Sequence, residues 1–130
     1  MSMWYQAIPQ QVLQNFVEDL GLFSNKDAQM FLWDAKGNNG EYVGCFSEQY
    51  CTLFNDTGLD DALDENSTGL PTEIDEKLKL LDKTLSRIDQ EKPQNVIIES
   101  EEMDVVRELA SKILILIEKL NAEKFKNGNQ

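Results

Sequence analysis

With 130 residues, 41% of them hydrophobic and 28% charged, the chain has the size and balance of one globular domain with a respectable core. A formal net charge of −12 repels phosphate, and no basic stripe offsets it, so nucleic acid and anionic membrane surfaces are disfavoured as ligands. There is no histidine, which rules out Ser-His-Asp and Cys-His catalysis and histidine-ligated zinc or haem within this chain.

The stretch from Met1 to Gln10 lacks the basic opening and unbroken apolar run of a secretory signal, and Pro9 interrupts it. The spacing of Val12, Leu13, Phe16, Val17 and Leu20 predicts a first helix over 9–20, with Pro9 at its first position and Gly21 as its stop. Trp4 and Tyr5 precede it, and Trp4 is expected to fold back on the core. A second helix is predicted over 25–35, with Ala28, Phe31, Leu32 and Ala35 on one side and Ser24 or Asn25 as cap. Gly37 to Gly40 then breaks the chain. Over 41–54 the pattern supports two readings. Tyr42, Phe46, Tyr50 and Phe54 recur every four residues, as in a helix, while the run Tyr42 to Phe46 also suits a short strand.

Residues 55–69 hold Asp56, Asp60, Asp61, Asp64 and Glu65 without a basic residue, and read as a loop in which Leu59, Ala62 and Leu63 anchor one short helical turn. A further helix is predicted from Pro71 or Thr72 to before Pro93, on Ile74, Leu78, Leu81, Leu85 and Ile88. The last is predicted over 101–121, on Val106, Leu109, Ile113, Leu116 and Leu120, capped by Ser100 and opened by Glu101, Glu102 and Asp104. Val96 to Ile98, between them, reads as a short strand or a buried connector. Residues 122–130 are a polar tail expected to fray. The expected fold is all-α: a single-domain helical bundle over 1–130, with 71–121 a long antiparallel helix hairpin and at most one short strand.

The charge is unevenly placed. Residues 1–70 hold eleven carboxylates and two lysines, whereas 71–130 hold thirteen carboxylates and ten basic residues. Ten of the eleven aromatic residues fall in the first part. Dense negative charge with aromatic side chains suits a basic partner: charge steers the encounter and rings supply contact area. The candidate partner-binding residues are therefore Trp33, Tyr42, Tyr50, Asp56, Asp60, Asp61, Asp64 and Glu65. Each has a plainer reading. Trp33 lies between a core-facing leucine and an exposed aspartate, so it is either a helix-edge residue or an anchor. The acidic run is either a solvated loop or a mimic of a phosphate backbone. Phe16, Phe31, Phe46 and Phe54 are expected in the core.

The acidic run fails the calcium-loop test. Starting at Asp56, glycine falls at the third position and Asp61 at the sixth, where glycine belongs. Cys45 and Cys51 do not have zinc or redox spacing, and are expected to be free thiols, buried as small hydrophobes. No Walker or dinucleotide motif occurs. No catalytic group, metal or cofactor is expected.

In size, acidity and helical pattern the chain resembles the small bacterial immunity proteins paired with contact-dependent or polymorphic toxins. The opening Met1-Ser-Met-Trp-Tyr-Gln-Ala-Ile-Pro9 before an amphipathic helix, and the closing Ile97-Ile-Glu-Ser-Glu-Glu-Met-Asp-Val-Val-Arg-Glu-Leu109, are similar to theirs. The resemblance implies a cytoplasmic protein that binds its cognate toxin domain, expected to be a ribonuclease, as a monomer in the complex, and that carries no enzymatic activity. The competing expectation is an adaptor that oligomerises through the leucine-rich hairpin. A carboxylate-based metal enzyme ranks last.

Overall fold

Helix-forming periodicity runs through nearly all of the chain, and in the computed structural model, which describes residues 4–33 and 45–128, those segments are helices joined by short turns. In chain order the α-helices are α1 (Trp4–Ala7), α2 (Gln10–Phe23), α3 (Lys26–Trp33), α4 (Phe46–Cys51), α5 (Leu59–Asp64), α6 (Thr72–Ser86), α7 (Gln94–Ile98) and α8 (Glu101–Gly128). A π-helical segment, Thr52–Asp56, continues α4. No strand occurs among the described residues. The all-α expectation holds, and the optional strand at 96–98 is corrected to α7. Pro93 starts that turn, Ile97 and Ile98 are both buried, and Val96 faces out. Adjacent buried residues suit a helical turn against a core better than an alternating strand.

The core is built from α6 and α8 lying along each other, with α2 packed on α8. Leu78, Leu81 and Leu85 from one helix and Val106, Ala110, Ile113 and Ile117 from the other are buried. Glu73 and Lys77 share a groove with Lys112, Ile115 and Leu116, while Arg87 and Ile88 share another with Ser100 and Glu102. Ser100 caps α8 as expected, accepting from the Met103 amide at 3.2 Å. α8 continues to Gly128, so position 121 is not a helix end.

Two boundaries near the N-terminus also move. α2 runs through Gly21 to Phe23, where the Ser24 hydroxyl donates to the Gly21 carbonyl at 2.7 Å. Asn25 caps α3 through the Ala28 amide, as expected. The inward side of α3, however, carries Gln29 and Trp33, four residues apart, rather than Ala28 and Phe31. Phe31 is 45% exposed, contrary to its expected place in the core. The rotation has a polar cause. The Gln29 amide donates to the Leu22 and Phe23 carbonyls, and its oxygen accepts from Arg107 of α8, which also reaches the Ile98 carbonyl. A buried amide with every partner supplied is stable where an unpaired one would not be.

Candidate functional site

The acidic stretch is held by the first residues of the chain. The Trp4 amide donates to the Ser67 carbonyl at 2.8 Å and the Tyr5 amide to that of Thr68 at 2.7 Å. The Trp4 indole N–H donates to the Thr57 carbonyl at 2.7 Å, and the ring meets Phe16 edge-on at 5.2 Å. Trp4 thus folds back on the core as expected. Gly58 follows at φ +78°, a left-handed conformation that lets the chain turn from the π-helical segment into α5. Leu53, Phe54, Leu59, Ala62 and Leu63 point into the core, so Asp56, Asp61, Asp64 and Glu65 are left on the exposed side. The short helical turn expected on Leu59, Ala62 and Leu63 is present as α5, and the residues before it, expected as part of an acidic loop, form a π-helical turn. The carboxylates stand on a fixed backbone.

These carboxylates have no ion-pair partner among the described residues. The ion pairs among the described residues join Lys26 to Glu99, Lys77 to Glu73, Arg107 to Asp104 and Lys112 to Glu108. None involves residues 56–65. Partial burial raises the Asp60 carboxyl above its ordinary value, with Asp64, Asp82 and Asp61 adding like-charge repulsion.

Asp60 also borders a cavity of about 320 Å³. Tyr50, Cys51, Phe54 and Asn55 form one wall and Asp82 and Gln90 the other. The Tyr50 ring lies 6.0 Å from that of Phe46 and packs edge-on against Phe54 at 5.6 Å. Its hydroxyl donates to the Asp82 carboxylate, which orients that group. Burial first, then this hydrogen bond and the charge of Asp82, raise the Tyr50 phenol, so it stays a donor. On the far wall the Gln90 side-chain oxygen accepts from Ser47 at 2.7 Å.

The sequence-derived set is thus partly gathered and partly dispersed. Tyr50 and Asp60 meet in the cavity; Asp56, Asp61, Asp64 and Glu65 lie on the acidic segment beside it. Trp33 is corrected. It is 4% exposed and packs against Phe23 and Phe46, each with ring centres 5.9 Å away, so it is a core residue. Tyr42 lies outside the described residues. Asp82 and Gln90 were missed. The signal for Asp82 was present: it stands four residues after Leu78, at the edge of an apolar stripe, where a carboxylate needs a reason. The cysteine expectation is corrected in part. Both thiols are free, but Cys51 is exposed and Cys45 half-buried.

A second carboxylate sits on an otherwise apolar helix face. Asp19 lies among Phe16, Leu20 and Phe23 on the buried side of α2. One oxygen accepts from the Gln49 amide, while the other has no hydrogen-bond partner among the described residues. Burial pushes the carboxyl up to about 6; the Gln49 hydrogen bond opposes this, and Glu18 and Asp56 add to it.

No group of three or more potential metal ligands gathers among the described residues, and none of their helices is long and apolar enough to cross a membrane. Comparison with protein-family models, with curated proteins and with solved structures finds no match to this chain.

Proposed function

We propose that this protein is an inhibitory binding protein, of the immunity type, that neutralises a basic toxin domain by covering its active-site cleft. The observation that carries this reading is the set of uncompensated carboxylates at 56–65, fixed on a packed backbone next to Tyr50 and Phe54. A cleft that binds RNA phosphates is lined by lysine and arginine. Carboxylates on a rigid support occupy the phosphate positions without first having to be ordered, which lowers the cost of association. The half-buried Tyr50 ring at the edge of the patch adds contact area. The toxin is expected to be a ribonuclease, the place of action the cytoplasm, and the complex one copy of each chain, with no turnover by this protein.

The close pairing of α6 with α8, early residues of one beside late residues of the other, supports reading 71–121 as an antiparallel hairpin that serves as scaffold. Its leucine seam faces inward. That burial favours the inhibitor over the oligomerising adaptor, which needs the seam as its contact face.

The toxin-like reading frame expected immediately upstream provides the test. Co-expression of its C-terminal domain with this protein should restore growth and yield a one-to-one complex. Growth arrest undiminished by the protein, with no complex from the purified chains, contradicts the proposal.

A further inference from the structure

We infer that the cavity between Tyr50, Asp60 and Asp82 is a receptor for a single arginine guanidinium, presented by the basic partner.

The first argument is charge. Asp60, from α5, and Asp82, from α6, face one cavity, and neither has an ion-pair partner among the described residues. Two carboxylates on separate elements, held together by the packing of the fold without a cation, repel each other in the free protein. A bound cation relieves that repulsion and contributes its own attraction, so the site gains twice from the same ligand.

The second argument is shape. The half-buried Tyr50 provides ring surface next to the carboxylates, held from behind by the buried Phe54. Tyr50 spends its hydroxyl proton on Asp82. That bond leaves the second Asp82 oxygen, both Asp60 oxygens and the Asn55 amide oxygen as acceptors, the combination a donor-only ligand requires. A guanidinium is planar, carries five N–H donors, is weakly hydrated and stacks on aromatic rings. It can bridge two carboxylates from different directions, whereas an ammonium concentrates its charge at one strongly hydrated point. At about 320 Å³ the cavity is at the small end of ligand sites and has room for one side-chain head group.

The inference rests on the proposed function only for the bearer of the guanidinium. The pocket's preference is tested without any toxin. N-acetyl-arginine amide, the lysine counterpart and spermidine are titrated into the full-length protein, followed by amide and side-chain NMR shifts. The arginine compound should give saturable shifts centred on Tyr50, Asn55, Asp60 and Asp82, with the lysine compound and spermidine weaker. Asp60→Asn should weaken arginine binding about tenfold, the loss of one charge-assisted bond, while Asp61→Asn and Asp64→Asn leave it nearly unchanged. Asp60→Asn keeps Tyr50 tied to Asp82 and so separates ligand binding from folding. Shifts that spread evenly over the acidic surface, equal sensitivity to Asp61→Asn, or a preference for spermidine overturn the inference. Failure here leaves toxin neutralisation standing. Failure to neutralise a toxin, with arginine binding intact, overturns the functional proposal alone.

Discussion

On α6 and α8, acidic and basic residues are interspersed, and three of the carboxylates are paired within their own helix: Glu73 lies near Lys77, Asp104 touches Arg107, and Glu108 pairs with Lys112. Across 56–65, five carboxylates share a short stretch with no such partner among the described residues. Both regions draw on the same core, since Phe54 and Leu59 are as deeply buried as Leu81 and Ile113. The contrast therefore lies in surface chemistry, not in how firmly each region is built. Self-compensated charge suits a scaffold. Uncompensated charge on an equally firm backbone suits recognition, because its energy is released only when a cation arrives.

The largest expected effects test whether the two regions share one core. Phe54→Ala should cost about 3–5 kcal/mol and Leu81→Ala about 2–5 kcal/mol in chemical denaturation, each through a single cooperative transition. An early, separate melting of the acidic region in the Phe54 variant would break the comparison by showing that region to be independently soft.

Asp19 gives an effect nearly as large, with a defined sign. Its folded value of about 6 lies above the ordinary value of 3.8. Its contribution is therefore fully favourable below about pH 4 and is lost as pH rises through about 6. At pH 7–8 the charged form should cost the fold up to about 2–3 kcal/mol. Asp19→Asn, which removes the charge, should flatten this part of the stability–pH curve. Identical slopes for the two proteins between pH 4 and 7 would contradict the assignment.

A smaller loss probes the turn that presents the acidic helix. Gly58→Ala should destabilise by about 1–2 kcal/mol through its left-handed backbone. A β-carbon there meets the Trp4 indole at 3.7–3.8 Å, ordinary contact, so steric overlap adds nothing. Unchanged stability would mean that this turn is not constrained. The smallest effect belongs to the scaffold: Lys112→Ala, which removes an exposed ion pair, should shift stability by less than about 0.5 kcal/mol.

Much of the helical scaffold was legible because one periodicity determines it. Leu78, Leu81 and Leu85 repeat at helical spacing and are buried against a helix of the same pattern, and Ser100 marks a start that local chemistry alone supports. The acidic stretch was legible in composition and, through Leu59, Ala62 and Leu63, in its short helix, but not in how firmly that helix is held. What holds the turn before that helix is Trp4, more than fifty residues earlier, which donates to Thr57. The rotation of α3 was hidden for the same reason. Gln29 looks like a surface residue until Arg107 supplies its partner, and with Gln29 inside, Trp33 follows it in and Phe31 turns out. The cavity could not be read from spacing, because Tyr50, Asp60 and Asp82 come from three elements that only tertiary packing brings together.

The most direct test of the account is the association rate with the toxin domain, measured by stopped flow across salt concentrations. Two variants carry equal charge changes: Asp60, Asp61 and Asp64 each changed to Asn, and the exposed Glu76, Glu102 and Glu118 each changed to Gln. The account predicts that the first slows association by at least about tenfold at low salt and flattens its salt dependence, while the second stays near the unmodified protein. Equal slowing by both variants, or greater slowing by the second, with both still folded, would contradict the acidic segment as the binding face.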